Sequence, residues 1–155
     1  MGKIQVRDAH PSDAGVIAGF NVKMAAETEG RPLEAELINP GVASVLADAT
    51  KGRYWVAELD GQVIGQLMVT YEWSDWRNGV FWWIQSVYVR GDCRRKGVFS
   101  LLHRHVESIA RATPEVCGLR LYVERDNLRA QKTYLALGMT SPGYQVMEID
   151  FRKEQ

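Results

Sequence analysis

The sequence predicts a mixed α/β fold in which helices cover the faces of one sheet. Segments in which apolar residues recur every second position alternate with segments of helical period along the chain of 155 residues. One strand-like segment has apolar side chains on both of its faces, which is typical of a central strand. The apolar share of 46% is ordinary for a globular protein, and we expect a single domain over residues 1–155.

The first half of the chain predicts one strand, two helices and two further strands. Pro11 suits the first turn of the first helix. Asp60-Gly61 favours a two-residue turn between the two later strands, because both residues tolerate positive φ. The second helix is expected to begin at Asn39-Pro40. The expected elements are, in order, strand Lys3–Asp8, a helix from Pro11 to Glu29, a helix from Asn39 to Gly52, strand Arg53–Leu59 and strand Gln62–Tyr71.

The second half predicts a central strand and then an alternation of helices and strands. Both sets of alternating side chains in Val80–Val89 are mostly apolar, so we expect this strand to be covered on both sides. Apolar residues at helical spacing indicate that a helix begins near Gly97. The later elements are strand Gly118–Glu124, helix Leu128–Leu137 and strand Gln145–Phe151.

Charge and apolar patterning exclude two classes of protein. The 19 Lys and Arg residues balance 19 Asp and Glu residues, so no overall field attracts nucleic acid or a membrane surface. No apolar run approaches the roughly 20 residues of a membrane-spanning helix, and no signal-peptide stretch opens the chain. We therefore expect a cytoplasmic protein with neither nucleic acid nor a membrane as its partner.

No group of residues predicts a metal site. Cys93 and Cys117 form neither a disulfide framework nor a zinc-binding pattern. His103 and His105 are two residues apart, so they would lie on different faces of a helix, at the surface or at the edge of a groove.

The loop after the central strand has the features of an anion site. A buried strand ends at Val89, a basic loop follows, and a helix begins at Gly97. The first amides of a helix lack internal partners, and the helix dipole favours an anion beside them. The loop predicts a phosphate site, with a solvated basic turn as the alternative. It contains neither a Walker motif nor a dinucleotide fingerprint. Three consecutive residues add positive charge: Arg94, Arg95 and Lys96.

Two motifs make the chain resemble the GNAT superfamily of acyl-CoA-dependent N-acyltransferases. Arg94-Arg95-Lys96-Gly97-Val98-Phe99 matches the first two fixed positions of the pyrophosphate motif (R/Q)-x-x-G-x-(G/A), with Phe99 in place of the final small residue. Asn127–Met139 resembles the pattern N-x-x-A-x-x-x-Y-x-x-x-G-(F/M). The motifs occur in the order of the family with a strand between them, and the element order agrees over Ile4–Phe151.

The resemblance implies a GNAT-like acyl-CoA N-acyltransferase fold, a central and mostly antiparallel sheet flanked by helices. In that fold the sheet splays between Val80–Val89 and Gly118–Glu124, and acetyl-CoA, the acyl donor, lies in the opening. The implied cosubstrate-binding residues are Val87, Tyr88 and Val89 along the pantetheine arm, Arg94, Arg95, Lys96, Gly97, Val98, Phe99 and Ser100 at the pyrophosphate, and Asn127 and Ala130 near the thiol.

Tyr134 is the predicted general acid. It follows Ala130 by four residues and Asn127 by seven, so the three side chains share one face of a helix. A phenol with an ordinary pKa of about 10 keeps its proton at neutral pH and can give it to the departing thiolate. The family assigns this role to the tyrosine of the motif, whereas helical spacing alone is more typical of a core aromatic.

The sequence leaves the general base open. Gln85 stands where many relatives have a glutamate on the strand, and an amide cannot take up the proton. Glu72 is the candidate base, with Asp75 beside it in an acidic stretch where Trp73 and Trp76 would stack on a cationic acceptor. A polar hairpin turn is an equal alternative for this stretch. Proton removal through water would also make a dedicated base unnecessary.

These observations predict an N-acetyltransferase in which a primary amine attacks acetyl-CoA directly in a ternary complex. The expected acceptor is a small amine, and a peptide or protein amine is the alternative. Phe99 and Gln85 keep open a non-catalytic acyl-CoA-binding module, and a longer acyl donor is also open. Exposed strand edges are compatible with a homodimer.

Overall fold

The computed structural model describes residues 2–152, within which there are five strands and four α-helices. The chain divides into two compact units, Met1–Tyr122 and Val123–Gln155. None of the helices within residues 2–152 has the length and apolar content that a membrane span requires. The first unit contains β1 Gln5–Asp8, α1 Ala14–Glu29, α2 Ala35–Ala47, β2 Arg53–Leu59, β3 Gln62–Ser74, β4 Gly79–Val89, α3 Val98–Arg111 and β5 Val116–Leu121, and the second contains α4 Leu128–Ala136.

The five strands form one mixed sheet in the order β1-β2-β3-β4-β5. The first three pairings are antiparallel, and only β4 and β5 run parallel, with α3 as the crossover between them. Asp60 and Gly61 have φ values of 52° and 78°, as the two-residue turn between β2 and β3 requires. The fold class predicted from the sequence is therefore confirmed.

Alternation along the strands separates two hydrophobic clusters, one on each face of the sheet. On one face Trp55 and Leu67 pack with residues of α3, among them Leu102. On the other face the cluster contains Val56 of β2 and Ile17 of α1. The two layers of helices fix the sheet between them, so the strand ends that position the site are held from both sides.

Helix α3 lies unusually close to the sheet at Gly65 of β3. A Cβ atom at this position would lie 3.1 Å from Cγ1 of Val98 and 3.2 Å from the carbonyl oxygen of Tyr88. A side chain larger than hydrogen would displace either the helix or β4. The glycine therefore sets the distance between the start of α3 and the sheet.

Helix α2 differs from its prediction at both ends. It begins at Ala35, before the expected start at Asn39-Pro40, and the amide of Ile38 already donates to the carbonyl of Glu34 at 3.0 Å. Pro40 lies inside this helix, although proline removes one helical hydrogen bond and its ring crowds the carbonyl four residues earlier. The helix ends at Ala47 rather than Gly52, where a turn begins at Asp48.

The prediction of a last strand over Gln145–Phe151 was wrong. None of the described residues in this stretch belongs to a strand, and the side chains of Val146, Met147 and Ile149 are exposed. Apolar alternation predicts which residues would share a face, but a strand also needs a partner edge. That the whole chain forms one domain stays a prediction.

Candidate active site

The sheet opens at the end of β4. Parallel pairing between β4 and β5 stops at Ile84 and Leu121. Strand β4 continues to Val89, which still pairs with Gly65 of β3. The edge of Gln85–Val89 that faces away from β3 is therefore not paired with β5, and the opening lies where the resemblance implied one.

A β-bulge shapes the unpaired part of β4. Tyr88 lies opposite Gln66 and Gln85 lies opposite Met68, so Ser86 and Val87 together face a single residue of β3. Ser86 has a φ of 50°, a left-handed conformation that side chains other than glycine rarely adopt. Such strain persists only where the surroundings hold it, and it occurs most often at functional sites.

A buried polar network lies behind the bulge. The side-chain amide of Gln66, which is fully buried, donates to the carbonyl of Ser86 and to Oδ1 of Asn21, each at 3.0 Å. Asn21 donates in turn to the hydroxyl of Tyr54 at 3.4 Å. Burial raises the pKa of the Tyr54 phenol. The network satisfies a carbonyl that the bulge removes from the ladder, so it stabilises the bulge.

Sequence analysis did not identify these supporting residues. The available signal was a polar residue at an apolar position, because Gln66 interrupts the apolar strand Val63–Val69 and Asn21 lies within the apolar face of α1. A buried amide needs partners, so each of these positions indicates a local hydrogen-bond network.

The start of α3 leaves backbone amides without helical partners. Its first internal hydrogen bond runs from the amide of Leu101 to the carbonyl of Gly97 at 3.1 Å. The preceding amides in the first turn have no earlier carbonyl of the helix to bind. Gly97 has a φ of 81°, and a Cβ there would meet no atom within 4 Å, so conformation and not space requires glycine. The amides that begin the helix are those of Val98, Phe99 and Ser100.

The basic residues of the loop fall into two groups. Arg90 is held by Asp92, with Nε and Oδ1 at 2.7 Å, and Arg94 is held by Glu27, with Nη2 and Oε2 at 2.7 Å. These carboxylates neutralise half of the basic run. The side chains that stay exposed immediately before the helix are those of Arg95 and Lys96.

Phe99 departs from the small residue of the motif, and the structure accommodates its ring by packing. The ring is half-buried against the cluster under α3 and lies 5.9 Å from the ring of His103, between centroids. His103 is only 1% exposed, so its prediction as a surface or groove-edge residue was wrong. Burial lowers the pKa of the His103 imidazole. The apolar face of α3 is wide enough to include both rings.

The second unit contains the other predicted motif, which begins and ends α4. Asn127 is the N-cap, and its Oδ1 accepts from the amide of Ala130 at 3.1 Å. Gly138 ends the helix with a φ of 95°. Tyr134 lies within the helix, and burial raises the pKa of its phenol. The phenol therefore keeps its proton at neutral pH.

Glu72 lies on β3 opposite Phe81, on the paired side of Ile84. Its Oε1 accepts from Nη1 of Arg120 at 2.5 Å, and that guanidinium stacks on the ring of Phe81 at 3.7 Å. Trp73 follows Glu72 directly, so the two side chains leave the strand on opposite faces. Glu72 and Trp73 therefore do not share one face of the sheet.

Gln85 begins the unpaired part of β4 and donates to the hydroxyl of Thr70 on β3. On the same face, Trp83 stacks with Tyr122 at 4.5 Å between ring centroids. An amide and two aromatic rings thus lie next to the point where the sheet opens.

The fold matches that of proteins described as acetyltransferases. The model of the family described as "Acetyltransferase (GNAT) family" matches residues 22–139. A crystal structure described as a possible acetyltransferase from Clostridium difficile 630 has 44% identity and a TM-score of 0.89, and the match covers 95% of this chain and 97% of that chain. No protein of curated function matches the chain significantly.

Two more distant structures share the fold. One is described as a probable acetyltransferase, with 22% identity, a TM-score of 0.82 and coverage of 94% of this chain and 99% of that chain. The other is described as a "predicted acetyltransferase with acetyl-CoA" from Clostridium acetobutylicum, with 15% identity, a TM-score of 0.76 and coverage of 97% and 98%.

These matches define an enzyme class, the acyltransferases. Within that class, the chain belongs to the acetyltransferase (GNAT) family, whose model covers about three quarters of its length.

Proposed function

We propose that this enzyme transfers an acetyl group from acetyl-CoA to a small primary amine by direct attack in a ternary complex. The observation that carries the proposal is the continuity of two features in one segment. The unpaired edge of β4 ends at Val89, and the loop after it leads to a helix start at Gly97 that has no side-chain cap. Family members use acetyl-CoA as cosubstrate. The unpaired edge of β4 suits its pantetheine arm, and the start of α3 suits its diphosphate.

The residues of this segment fit the cosubstrate by their chemistry. The amide of Arg90 donates to the carbonyl of Ile64 at 2.8 Å, so alternation directs the backbone groups of Val89 to the open edge. Val87, two residues earlier, has the same direction, and Tyr88 between them pairs with β3. We infer that the backbone of Val87 and the amide of Val89, whose carbonyl accepts from Nε of Arg94 at 2.8 Å, bind the pantetheine arm.

At the diphosphate, we infer that backbone amides do most of the binding. The amides of Arg95 to Ser100 surround the start of α3, and the macrodipole adds a favourable potential for negative charge. Arg95 and Lys96 are exposed beside them. Bound acetyl-CoA supplies the activated acyl group as a thioester.

The chemistry needs two proton movements. The nitrogen of a neutral amine forms a bond to the acyl carbon, the carbon–sulfur bond breaks, and the sulfur takes a proton while the nitrogen loses one. Tyr134 is the proposed donor to sulfur, supported by the burial that raises the pKa of its phenol. We further infer that Asn127 and Ala130, on the same face of α4, line the thiol end.

Glu72 stays the candidate general base, and its ion pair with Arg120 provides the test. A general base must accept the proton of the amine, but a purely structural ion pair would have the same geometry. Replacing Glu72 with Gln should lower kcat/KM and change its pH profile if Glu72 removes the proton. Asp75→Asn is the matched control, and an unchanged profile in both variants would reject Glu72 as the base.

The proposed function is tested by incubating the purified protein with acetyl-CoA and a panel of amines. The panel contains polyamines, amino acids, aminoglycosides and a peptide with a free amino terminus, and released thiol reports transfer. We expect turnover with at least one small amine and tight binding of CoA in calorimetry. Binding of CoA without turnover on any amine would favour a non-catalytic acyl-CoA-binding module, and absence of both would reject the proposal. Propionyl-CoA and butyryl-CoA in the same assay define the preferred acyl length.

A further inference from the structure

Arg94, the first position of the pyrophosphate motif, uses its side chain within the protein. Its Nε donates to the carbonyl of Val89 at 2.8 Å, and its Nη2 donates to Oε2 of Glu27 on α1 at 2.7 Å. The guanidinium carbon also lies 5.2 Å from the centre of the Tyr88 ring. The side chain therefore bridges the end of β4 and the last turns of α1.

Glu27 is the partner that completes this arrangement. While Oε2 accepts from Arg94, Oε1 accepts from the hydroxyl of Tyr88 at 3.1 Å. The bond to Arg94 lowers the pKa of the Glu27 carboxyl, which keeps it ionised at neutral pH. The ring of Tyr88 packs on Phe20 of α1, with the centroids 5.1 Å apart. One carboxylate thus connects α1, β4 and the loop.

The backbone next to Arg94 explains why such a connection is needed. Arg95 has a φ of 64°, and Gly97 has a φ of 81°. A left-handed residue other than glycine is strained, and it persists only where neighbouring contacts over-determine the chain. Helix α3 fixes the loop on one side of Arg95, and the bonds of Arg94 fix it on the other.

We propose that Glu27 is a positioning residue of the cosubstrate site, which acts by holding Arg94 across the Val89 carbonyl. The inference rests on the proposed function, because the loop so fixed is the one that leads to the diphosphate amides. Arginine is required for this bridge, since two donors at fixed separation must reach a carbonyl and a carboxylate together. The ammonium of a lysine carries the same charge but lacks this fork.

The proposal separates positioning from stability. The side chains of Arg94 and Glu27 are 44% and 46% exposed, and ion pairs with such exposure contribute little to folding. We therefore expect that losing the pair leaves the thermal midpoint nearly unchanged. The loss should appear instead in the affinity for acetyl-CoA.

The first experiment compares Glu27→Gln with Glu29→Gln. Glu29 lies on the same helix and pairs at 3.5 Å with Arg31, so it is the matched control for a lost carboxylate. For Glu27→Gln we expect KM for acetyl-CoA and the dissociation constant of CoA to rise about fivefold, the upper end of what an exposed ion pair contributes. The kcat and the KM for the amine should stay within about twofold of the wild-type values. The thermal midpoint should stay within about 2 °C of wild type. Glu29→Gln should match wild type in all of these.

The second experiment is a double-mutant cycle with Arg94. If Glu27 acts only through Arg94, then adding Glu27→Gln to Arg94→Met weakens CoA binding no further. Arg94→Lys should bind CoA as weakly as Arg94→Met. Full rescue by lysine would show that Arg94 acts as a charge on the diphosphate and would overturn the proposal.

The failures of the two proposals can be distinguished. If wild type neither binds CoA nor transfers acetyl groups, the proposed function fails and the role of Glu27 fails with it. If wild type binds CoA and Glu27→Gln binds it equally or more tightly, only the positioning role fails. Additive losses in the double mutant would also overturn it.

Discussion

The helices α3 and α4 begin in opposite ways, although both starts belong to the motifs that predicted the site. The N-cap of α3 is Gly97, which has no side chain to offer the first amides. The N-cap of α4 is Asn127, whose Oδ1 accepts from the amide of Ala130. The start of α3 therefore has no side-chain cap, whereas the start of α4 is capped by its own chain.

Under the proposed function, the two helix starts have different roles. An open helix start in a basic, strained loop suits cosubstrate binding. A capped helix rigidly presents the side chains within it, and in α4 one of these is Tyr134. We therefore expect changes near Gly97 to affect affinity and changes at Tyr134 to affect the chemical step, and the following predictions test that separation.

The largest expected effect is on Tyr134. Tyr134→Phe removes the proton donor while keeping the ring, so kcat should fall about 100-fold. The dissociation constant of CoA, measured by calorimetry, should change less than twofold. Because burial raises the pKa of the phenol, the rate of wild type should not decline through loss of this proton until above pH 10. An unchanged kcat in Tyr134→Phe would show that Tyr134 is not the proton donor.

Gly97→Ala should weaken the binding of CoA. Alanine is strained at a φ of 81°, so the loop must shift, and CoA affinity should fall roughly tenfold with a loss of about 1 kcal/mol in stability. Gly91→Ala is the control, because a Cβ at Gly91 meets no atom within 4 Å and its φ is not in the left-handed range. Calorimetry and urea unfolding measure both variants, and equal losses in the two would contradict a specific role for Gly97.

Asn127→Ala should reduce stability by about 1 kcal/mol, the usual contribution of an N-cap. Asn127→Ser retains an oxygen that can cap the helix, so it separates capping from any contact with the thiol end. If both variants lose catalytic rate while only the alanine variant loses stability in urea unfolding, Asn127 has both roles. If the serine variant matches wild type in both measurements, capping is the only role.

The smallest effect concerns stability as a function of pH. His103 has a lowered pKa because it is buried, although Glu107 opposes this shift and Arg104 adds to it. The unfolded chain, with a histidine pKa near 6.5, then binds a proton that the folded chain does not, so stability falls as the pH drops below about 6.5. His103→Gln should flatten this slope in urea unfolding between pH 5 and 7, whereas His105→Gln should leave it unchanged. A slope unaltered by His103→Gln would contradict the prediction.

The sequence predicted the parts of this molecule that depend on local patterns. Alternation predicted the strand Arg53–Leu59 with its observed bounds, and the pair Asp60-Gly61 predicted the turn after it. The glycine of the pyrophosphate motif correctly marked the start of α3. These features depend on residues that are neighbours in the chain.

The parts that sequence analysis missed depend on residues far apart in the chain. The ion pair of Glu27 with Arg94 joins positions 67 residues apart, and the hydrogen bond of Gln66 to Asn21 joins positions 45 apart. The stretch Gln145–Phe151 has the period of a strand but is not one. Which residues become partners across the fold follows from tertiary packing, and the period of a single segment does not encode it.

Gly65 matters for the proposed binding of the cosubstrate although it lies inside the protein. It lies in β3, yet a Cβ added to it would lie only 3.1 Å from Cγ1 of Val98, so it sets the spacing of the helix whose first amides we propose bind the diphosphate. An alanine there would require α3 or β4 to shift by a few tenths of an ångström, so under the proposed function the affinity for acetyl-CoA should fall while the catalytic groups stay intact. A survey of natural variants should therefore count this interior glycine among the determinants of cosubstrate affinity.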